Sequence, residues 1–210
     1  MKIIGLVGLP GSGKGEASRI ARQQGLKVLV MGDVIRQEAA RQGLEATDGN
    51  LGRVGSALRA AEGPEAVARR VLEQAMASGE ETVVVDGLRS REEADYFAFN
   101  AEQFHLVEVC APAELRLKWL QARGRPDDPG SGMCGTTEPD QDEKIISSCR
   151  GPDSRAAAAL EQRECREMGW GMCQAIEAAS IKLVNDGSLE ELRENARKLL
   201  DILSRDCAKE

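Results

Sequence analysis

A glycine-rich segment that directly follows a short apolar run constrains the fold more than any other feature of this sequence. Residues 2–7 are Lys-Ile-Ile-Gly-Leu-Val, and residues 8–14 are Gly-Leu-Pro-Gly-Ser-Gly-Lys. The apolar run is typical of a buried parallel strand, and the residues that follow the glycines, 15–24, favour a helix. A strand, a G-x4-G-K loop and a helix in this order predict a phosphate-binding loop.

The residue types of this loop explain how it would bind a polyphosphate. Glycines let backbone N–H groups curl around phosphate oxygens, and the N-terminus of the following helix favours negative charge. The ammonium group of Lys14 would reach the β- and γ-phosphates. The expected donor-binding residues are Gly8, Pro10, Gly11, Ser12, Gly13, Lys14, Gly15 and Glu16.

The loop departs from the common pattern at the position after the lysine. Gly15 stands where a serine or threonine usually binds magnesium, and Ser18 lies one helical turn farther on. Asp86 follows a run of valines, so we expect it at the carboxyl end of a central strand, holding Mg²⁺ through water. Asp33 also follows a predicted strand and is a second candidate for the metal, with a helix N-cap as its alternative role.

Predicted strands and helices alternate along the chain. Apolar runs predict strands over residues 2–7, 27–31, 82–85, 104–110 and 181–184, with helical segments between and after them. This alternation predicts a parallel sheet with helices on both faces, and 210 residues suit one large domain. Residues 124–153 are rich in Gly, Ser, Thr, Pro and Asp and interrupt the alternation, as a lid or an inserted loop would.

Composition excludes several classes of function. Acidic residues exceed basic ones by 35 − 28 = 7, which argues against nucleic-acid binding over the whole surface. No apolar run approaches the roughly 20 residues that span a bilayer. Glycines interrupt the N-terminal run, so we interpret it as a strand rather than a signal peptide. We therefore expect a cytoplasmic protein with reduced cysteines.

Four segments are similar to those of nucleoside monophosphate kinases, the adenylate kinases among them. Residues 8–15 resemble their glycine loop, and residues 31–36, Met-Gly-Asp-Val-Ile-Arg, resemble their acceptor segment. Residues 83–89 resemble their Asp-Gly-x-x-Arg segment with the arginine one position closer, and residues 124–128 resemble the Gly-Arg-x-Asp-Asp of their lid. Apart from the insertion, the chain most resembles an archaeal adenylate-kinase-related P-loop family in which Gly-Lys-Gly-Glu, Met-Gly-Asp-Val and a late Trp-Gly are typical.

The resemblance implies a three-layer α/β/α P-loop NTPase fold with a five-stranded parallel sheet in the order 2-3-1-4-5. It implies one kinase domain over residues 1–210, with an acceptor-binding helical subdomain over 33–78 and a lid or insertion over 123–155. The implied activity is ATP- and Mg²⁺-dependent transfer of a γ-phosphoryl group to a small phosphorylated acceptor, first of all a nucleoside monophosphate. Its partners would be small nucleotides, without nucleic acid or membrane.

The resemblance also assigns roles to single residues. The residues expected to act in catalysis are Lys14, Arg36, Arg89, Arg125 and Arg163. The acceptor would be held by Asp33, Arg36 and Arg89, and the donor would also be contacted by Arg123. Asn185 and Gly187 lie in the loop that approaches the adenine in related kinases.

Several nearby residues have ordinary structural explanations. The resemblance places an acceptor-binding role on the helices that carry Arg53, Arg59, Arg69 and Arg70. Arginines on helices are mostly solvated surface groups, which is the favoured expectation for these four. Ion pairing, for example with Glu164, is the alternative for Arg163. Trp119 and Trp170 are interpreted as packing residues. The spacing of the later cysteines contains no C-x2-C pair and disfavours zinc.

Two other functions are compatible with the sequence. Residues 185–192 resemble the C-terminal run of dephospho-coenzyme A kinases, although Ser188 and Glu191 also match a helix capping box. The unusual Gly15 and the long insertion would suit a nucleotide-regulated ATPase switch that has no acceptor. The products formed from ATP distinguish these functions.

Overall fold

The computed structural model describes residues 1–123 and 152–205, with side chains for residues 1–122 and 157–205. Five strands and nine helices lie within these ranges. In chain order they are β1 (Lys2–Val7), α1 (Lys14–Gln23), β2 (Lys27–Val30), α2 (Met31–Arg41), α3 (Asp48–Glu62), α4 (Ala66–Ser78), β3 (Thr82–Leu88), α5 (Arg91–Asn100), β4 (Gln103–Cys110), α6 (Ala113–Arg123), α7 (Pro152–Gly169), α8 (Met172–Glu177), β5 (Ile181–Val184) and α9 (Leu189–Arg205). Most of the expected insertion, and with it Arg125, lies outside the described residues.

All five strands pair in parallel in one sheet with the order β2-β3-β1-β4-β5, which confirms the predicted order. Every residue of β1 is buried, because β3 and β4 flank it and helices cover both faces of the sheet. Asp86 of β3 pairs with Leu6 near the end of β1. Since the carboxyl ends of parallel strands share one edge, the loop after β1 lies close to Asp86.

Two apolar cores lie on opposite faces of the sheet. Ile3 and Ile4 are adjacent in β1 and belong to different cores, as the two-residue period of a strand requires. The larger core is completed by α2, α3, α4, α5 and α8, and the smaller one by α1 and α9. This arrangement confirms the three-layer α/β/α fold.

Two local features differ from the expectation and both affect the site. β3 continues through Asp86 to Leu88, with an irregular register opposite β1 and a φ of 95° at Gly87. α2 begins at Met31 directly after β2, so Asp33 lies in the first turn of the helix and is not its N-cap. Asp86 is therefore held by strand pairing, whereas the position of Asp33 follows that of a helix.

The described residues also bear on the cysteines and on membranes. Cys110, Cys165 and Cys173 are free thiols, and the last two are exposed. Among the helices of the two described ranges, none combines the length and the apolar character that a membrane span requires.

Candidate active site

The loop between β1 and α1 has a backbone conformation that favours glycine. Gly8, Gly11 and Gly13 have φ angles of 147°, 80° and 109°, a region that L side chains rarely adopt. A Cβ atom on Gly11 would lie 2.7 Å from the carbonyl oxygen of Arg116, and one on Gly13 would lie 2.7 Å from Nδ2 of Asn185. The glycines therefore allow both the curl of the loop and its close packing against neighbouring elements.

Gly15 differs from the other loop glycines. It lies in the first turn of α1, and a Cβ atom there would meet no protein atom within 4 Å. The absence of a hydroxyl side chain at this position is therefore not imposed by crowding in the fold. The next residue, Glu16, accepts hydrogen bonds from Arg19 and Arg193, and these bonds outweigh its partial burial and lower its pKa.

Lys14 folds back onto its own loop. Its ammonium group donates hydrogen bonds to the carbonyl oxygens of Gly8 at 2.5 Å and of Leu9 at 3.0 Å. Burial, followed by repulsion from Arg89, lowers the pKa of Lys14 from 10.5 to about 8, although Asp86 and other acidic groups act in the opposite direction. A polyphosphate in the loop would give this partly buried ammonium group anionic oxygens as direct partners in place of the two carbonyl oxygens.

Asp86 faces α1, and its carboxylate is fixed by a hydrogen bond. Ser18 donates to Oδ2 of Asp86 at 2.7 Å, and the aspartate is 8% exposed. Among the described side chains, no three or more His, Cys, Asp or Glu residues form a metal-binding group. A magnesium ion held here would take most of its oxygen ligands from the nucleotide and water, as magnesium commonly does. The site fits a hydrated ion held by one oriented carboxylate.

A cleft of about 740 Å³ opens above the loop and has the size of a small-molecule site. Asn185 and Gly187, the residues expected near the base, line this cleft. Asn185 is buried, and its Nδ2 donates to the carbonyl oxygen of Ser12 at 3.0 Å, which joins the segment after β5 to the loop. Trp119 of α6 also lines the cleft, although the sequence was interpreted as placing it in packing.

A second, smaller cavity of about 80 Å³ lies between α2, α3 and α7. Arg36, Arg89 and Arg163 line both this cavity and the cleft above the loop. Arg36 and Arg89, which were expected to bind the acceptor, and Arg163, which was expected to act in catalysis, therefore lie where the two spaces meet. We name the two spaces after the ligands that the resemblance predicts for them: the larger one is called the nucleotide cleft and the smaller one the acceptor cavity.

Each arginine at this junction is paired with a carboxylate. Arg36 donates to Asp33 at 2.6 Å within the first turns of α2, and Asp33 is absent from the lining of both spaces. Arg89 forms an ion pair with Glu167, and Nε of Arg163 lies 3.2 Å from the same carboxylate. The expected acceptor and metal role of Asp33 stays a prediction.

Glu167 was not anticipated from the sequence, and it changes the expected pairing on α7. Arg163 pairs with Glu167, whereas Glu164, one partner considered in its alternative role, pairs with Arg116. Arg116 is buried and also donates to the carbonyl oxygen of Pro10 at 3.2 Å, so it fixes the backbone of the loop at that residue. The four-residue spacing of Arg163 and Glu167 on one helix face was the available signal.

The far side of the acceptor cavity contains two arginines and a tryptophan. Arg59 lies 4.7 Å from the ring centre of Trp170, and Arg166 lies 5.9 Å from it. Arg59 was expected at the surface, yet its side chain is 10% exposed and pairs at 2.6 Å with Glu93, which is fully buried. Arg166 makes two hydrogen bonds of 2.8 Å to Asp48.

Two glycines of α3 make room for this group. A Cβ atom on Gly52 would lie 2.8 Å from Nε of Arg166, and one on Gly55 would lie 3.2 Å from Nη1 of Arg59. The three-residue spacing puts both glycines on one face of the helix. Two glycines in the interior of a predicted helix, where they reduce its stability, were the sequence signal for this close approach.

The remaining expected residues lie on the surface or outside the described side chains. Arg69 and Arg70 form partly exposed pairs with Glu65 and Glu62, as expected for surface groups. Arg123 is the last residue of α6, and its side chain lies outside the described residues.

Solved structures with the same architecture define the class of the fold. A protein described as TT1252 from Thermus thermophilus aligns with 99% of this chain and 98% of its own, with a TM-score of 0.54 at 20% identity. A shikimate kinase from Bacteroides thetaiotaomicron aligns with 96% of this chain and 98% of its own, with a TM-score of 0.50 at 14% identity. At this identity the likeness concerns the fold alone, which is that of P-loop kinases.

Sequence relatives then give the family. A family model described as an AAA domain matches residues 7–131. A protein of Methanothrix thermoacetophila named as a UPF0200 protein is 48% identical over 98% of this chain and all of its own length. The chain belongs to the UPF0200 family of archaeal proteins, which agrees with the archaeal P-loop family expected from the motifs.

Proposed function

We propose that this protein transfers the γ-phosphoryl group of ATP, with Mg²⁺, to a small phosphorylated acceptor, for which a nucleoside monophosphate is the first candidate. One observation carries the proposal: Arg36, Arg89 and Arg163 line both the nucleotide cleft and the acceptor cavity. Phosphoryl transfer requires donor and acceptor in line, with positive charge where their phosphates meet. Two adjoining spaces with three arginines at their junction support a reaction of this kind.

The residues have distinct roles in this reaction. The backbone of residues 8–15 binds the donor phosphates, and Lys14 follows the γ-phosphoryl group. Asp86, oriented by Ser18, would hold a magnesium ion, which would neutralise phosphate charge there. Asn185 and Gly187 border the base, and Trp119 adds an aromatic face to the same cleft.

The acceptor supplies the nucleophile. One of its phosphate oxygens attacks the γ-phosphorus, and the bond from that phosphorus to the β–γ bridging oxygen breaks. The electron pair leaves with ADP, and the acceptor gains one phosphoryl group. Because the attacking oxygen is already ionised, no side chain has to remove a proton, and the work of the protein is positioning and charge neutralisation. Arg123 and Arg125, whose side chains lie outside the described residues, are proposed to bind the phosphate groups during transfer.

The size of the acceptor cavity favours a second candidate. Its volume of about 80 Å³ is well below that of a typical ligand site. A phosphorylated acceptor smaller than a nucleotide would require less rearrangement of the cavity lining than a nucleoside monophosphate. A second cavity continues from the nucleotide cleft. This feature argues against a reaction in which ATP is hydrolysed without an acceptor.

Product analysis with purified protein, ATP and MgCl₂ tests the proposal. The acceptors tested are nucleoside monophosphates, smaller phosphorylated metabolites and dephospho-coenzyme A. A further reaction contains no acceptor. We expect ADP and phosphorylated acceptor in equal amounts with one class of acceptor. Lys14→Ala should fold normally and lose at least about 10³-fold of this activity, because preorganised charge supplies most of the rate. Equal rates of ADP formation with and without every acceptor would contradict the proposal and indicate a switch.

A further inference from the structure

Glu167 is a deeply buried acidic side chain whose carboxylate faces the side chains of the phosphate-binding residues. It lies on α7 with 2% of its surface exposed and lines the acceptor cavity. Its carboxylate forms ion pairs with Arg89 and with Arg163, the latter at 3.2 Å. Lys14 is also near enough to attract it. One carboxylate therefore contacts or attracts three of the cations that the proposed function assigns to phosphate groups.

The carboxylate remains charged in this position. Burial alone would raise the pKa of Glu167, but attraction by Arg89, Arg163 and Lys14 outweighs the effect of burial and lowers it. A carboxylate and a phosphate compete for the same donors, because arginine offers both of them paired N–H groups in one plane. A phosphate that arrives between Arg89 and Arg163 therefore has to compete with Glu167.

From this geometry we infer that Glu167 is a resident counter-anion. In the ligand-free protein the carboxylate of Glu167 occupies the anion-binding position between Arg89 and Arg163. A dianionic phosphate of the acceptor displaces the carboxylate from both arginines. The inference rests on the proposed function for the identity of the acceptor, but any phosphate dianion could bind at the position between the two arginines. Glu167 thereby lowers the affinity of the protein for the phosphate of the acceptor, without touching the reacting atoms.

The opposite role is also testable, since Glu167 could serve to hold Arg89 and Arg163 in their binding orientation. The two roles predict opposite results when the charge is removed. A counter-anion competes with phosphate, so its removal strengthens phosphate binding. A positioning group prepares the arginines, so its removal weakens phosphate binding.

Calorimetric titration with inorganic phosphate, without nucleotide and at low salt, distinguishes these roles. We expect Glu167→Gln to bind phosphate about tenfold more tightly than the unsubstituted protein, because a competing charge next to both arginines is gone. Glu161→Gln is the matched control, since it removes the same charge from an exposed position of the same helix. It should change the Kd by less than about twofold. Unchanged or weaker binding in Glu167→Gln would overturn the inference.

A second variant covers the case in which Glu167→Gln does not fold. Glu167→Asp keeps the charge but shortens the side chain by one methylene group, so it reaches the two arginines less well. We expect it to bind phosphate about threefold more tightly than the unsubstituted protein; binding equal to or weaker than that of the unsubstituted protein would overturn the inference. Both titrations omit ATP and acceptor. Tighter phosphate binding without any phosphotransfer would therefore reject the proposed function alone.

Discussion

The nucleotide cleft and the acceptor cavity are built in different ways. The floor of the cleft is a continuous stretch of backbone, residues 8–14, whose shape depends on glycines. The acceptor cavity is built from ion pairs between distant segments: Arg59 with Glu93, 34 residues apart, and Arg166 with Asp48, 118 residues apart. A site made of consecutive backbone is encoded locally, whereas a site made of long-range charge pairs exists only after the chain has folded.

The largest expected effect concerns stability in the acceptor cavity. Arg59→Met leaves Glu93, which is fully buried, without its guanidinium partner at 2.6 Å. We expect a loss of about 3–5 kcal/mol in the free energy of unfolding, because an unpaired buried charge is costly. Urea denaturation measures it. The matched control is Arg70→Met, which breaks a partly exposed arginine–glutamate pair of the same length, 2.6 Å, and should cost less than about 1 kcal/mol. Equal losses in the two variants would show that the cavity does not depend on buried pairing.

The next effect concerns the glycines of the nucleotide cleft. Gly13→Ala introduces a Cβ atom 2.7 Å from Asn185 at a φ of 109°, while Gly15→Ala introduces one that meets no protein atom within 4 Å. We expect Gly13→Ala to weaken ATP binding about 100-fold, equivalent to about 2.7 kcal/mol, and Gly15→Ala to change it less than about twofold. Calorimetric titration with ATP and MgCl₂ measures both. Similar affinities would mean that backbone shape does not control the cleft.

The sequence contained enough information for the fold and for the floor of the cleft. The strand, loop and helix at the N-terminus and the apolar run before Asp86 are local signals, and the structure places Lys14 and Asp86 at one edge of the sheet. Their roles in binding ATP and Mg²⁺ remain predictions. The order of the strands followed from a resemblance of motifs, because composition and periodicity alone predict a parallel sheet without its order.

The acceptor cavity could not be predicted in the same way. Whether an arginine on a helix is a surface group or a buried one depends on which distant carboxylate it meets, and no local pattern records that. Arg59 was therefore expected at the surface, and Glu167 was not considered. Trp119 illustrates the same limit, since an aromatic side chain on a helix suits a core as well as a cleft.

A smaller effect connects the local loop with a longer-range contact. Ser18→Ala removes the hydrogen bond to Asp86, 68 residues away, but leaves the glycines of the loop unchanged. Because hydrogen bonds to charged groups contribute about 1.5–3 kcal/mol, we expect about tenfold more Mg²⁺ to be needed for half-maximal ATP binding. Ser78→Ala, which loses a hydrogen bond at the end of α4, is the control and should leave the requirement unchanged. An unaltered magnesium requirement in Ser18→Ala would contradict the proposal that Asp86 holds the metal ion.

The smallest effect is a pH dependence that originates at Lys14 in the nucleotide cleft. Burial and then repulsion from Arg89 lower the pKa of Lys14 to about 8, so the ligand-free protein loses this positive charge as the pH rises through that value. A polyphosphate favours the charged form, so ATP binding takes up a proton above pH 8 and weakens with rising pH. Between pH 7 and pH 8.5 we expect affinity to fall about fourfold, as follows from one group with a pKa of about 8.

Lys14→Arg provides the control for this titration, because a guanidinium group stays charged throughout the range. Its affinity for ATP should be lower, since an arginine does not fit the two carbonyl oxygens that Lys14 contacts, but it should not vary between the two pH values. Phosphate binding in the acceptor cavity involves arginines and a carboxylate whose pKa is lowered, and neither changes charge near pH 8. A steep fall in ATP affinity that persists in Lys14→Arg would therefore show that the titrating group lies outside the loop. The nucleotide cleft and the acceptor cavity would then not differ because of the charge on Lys14.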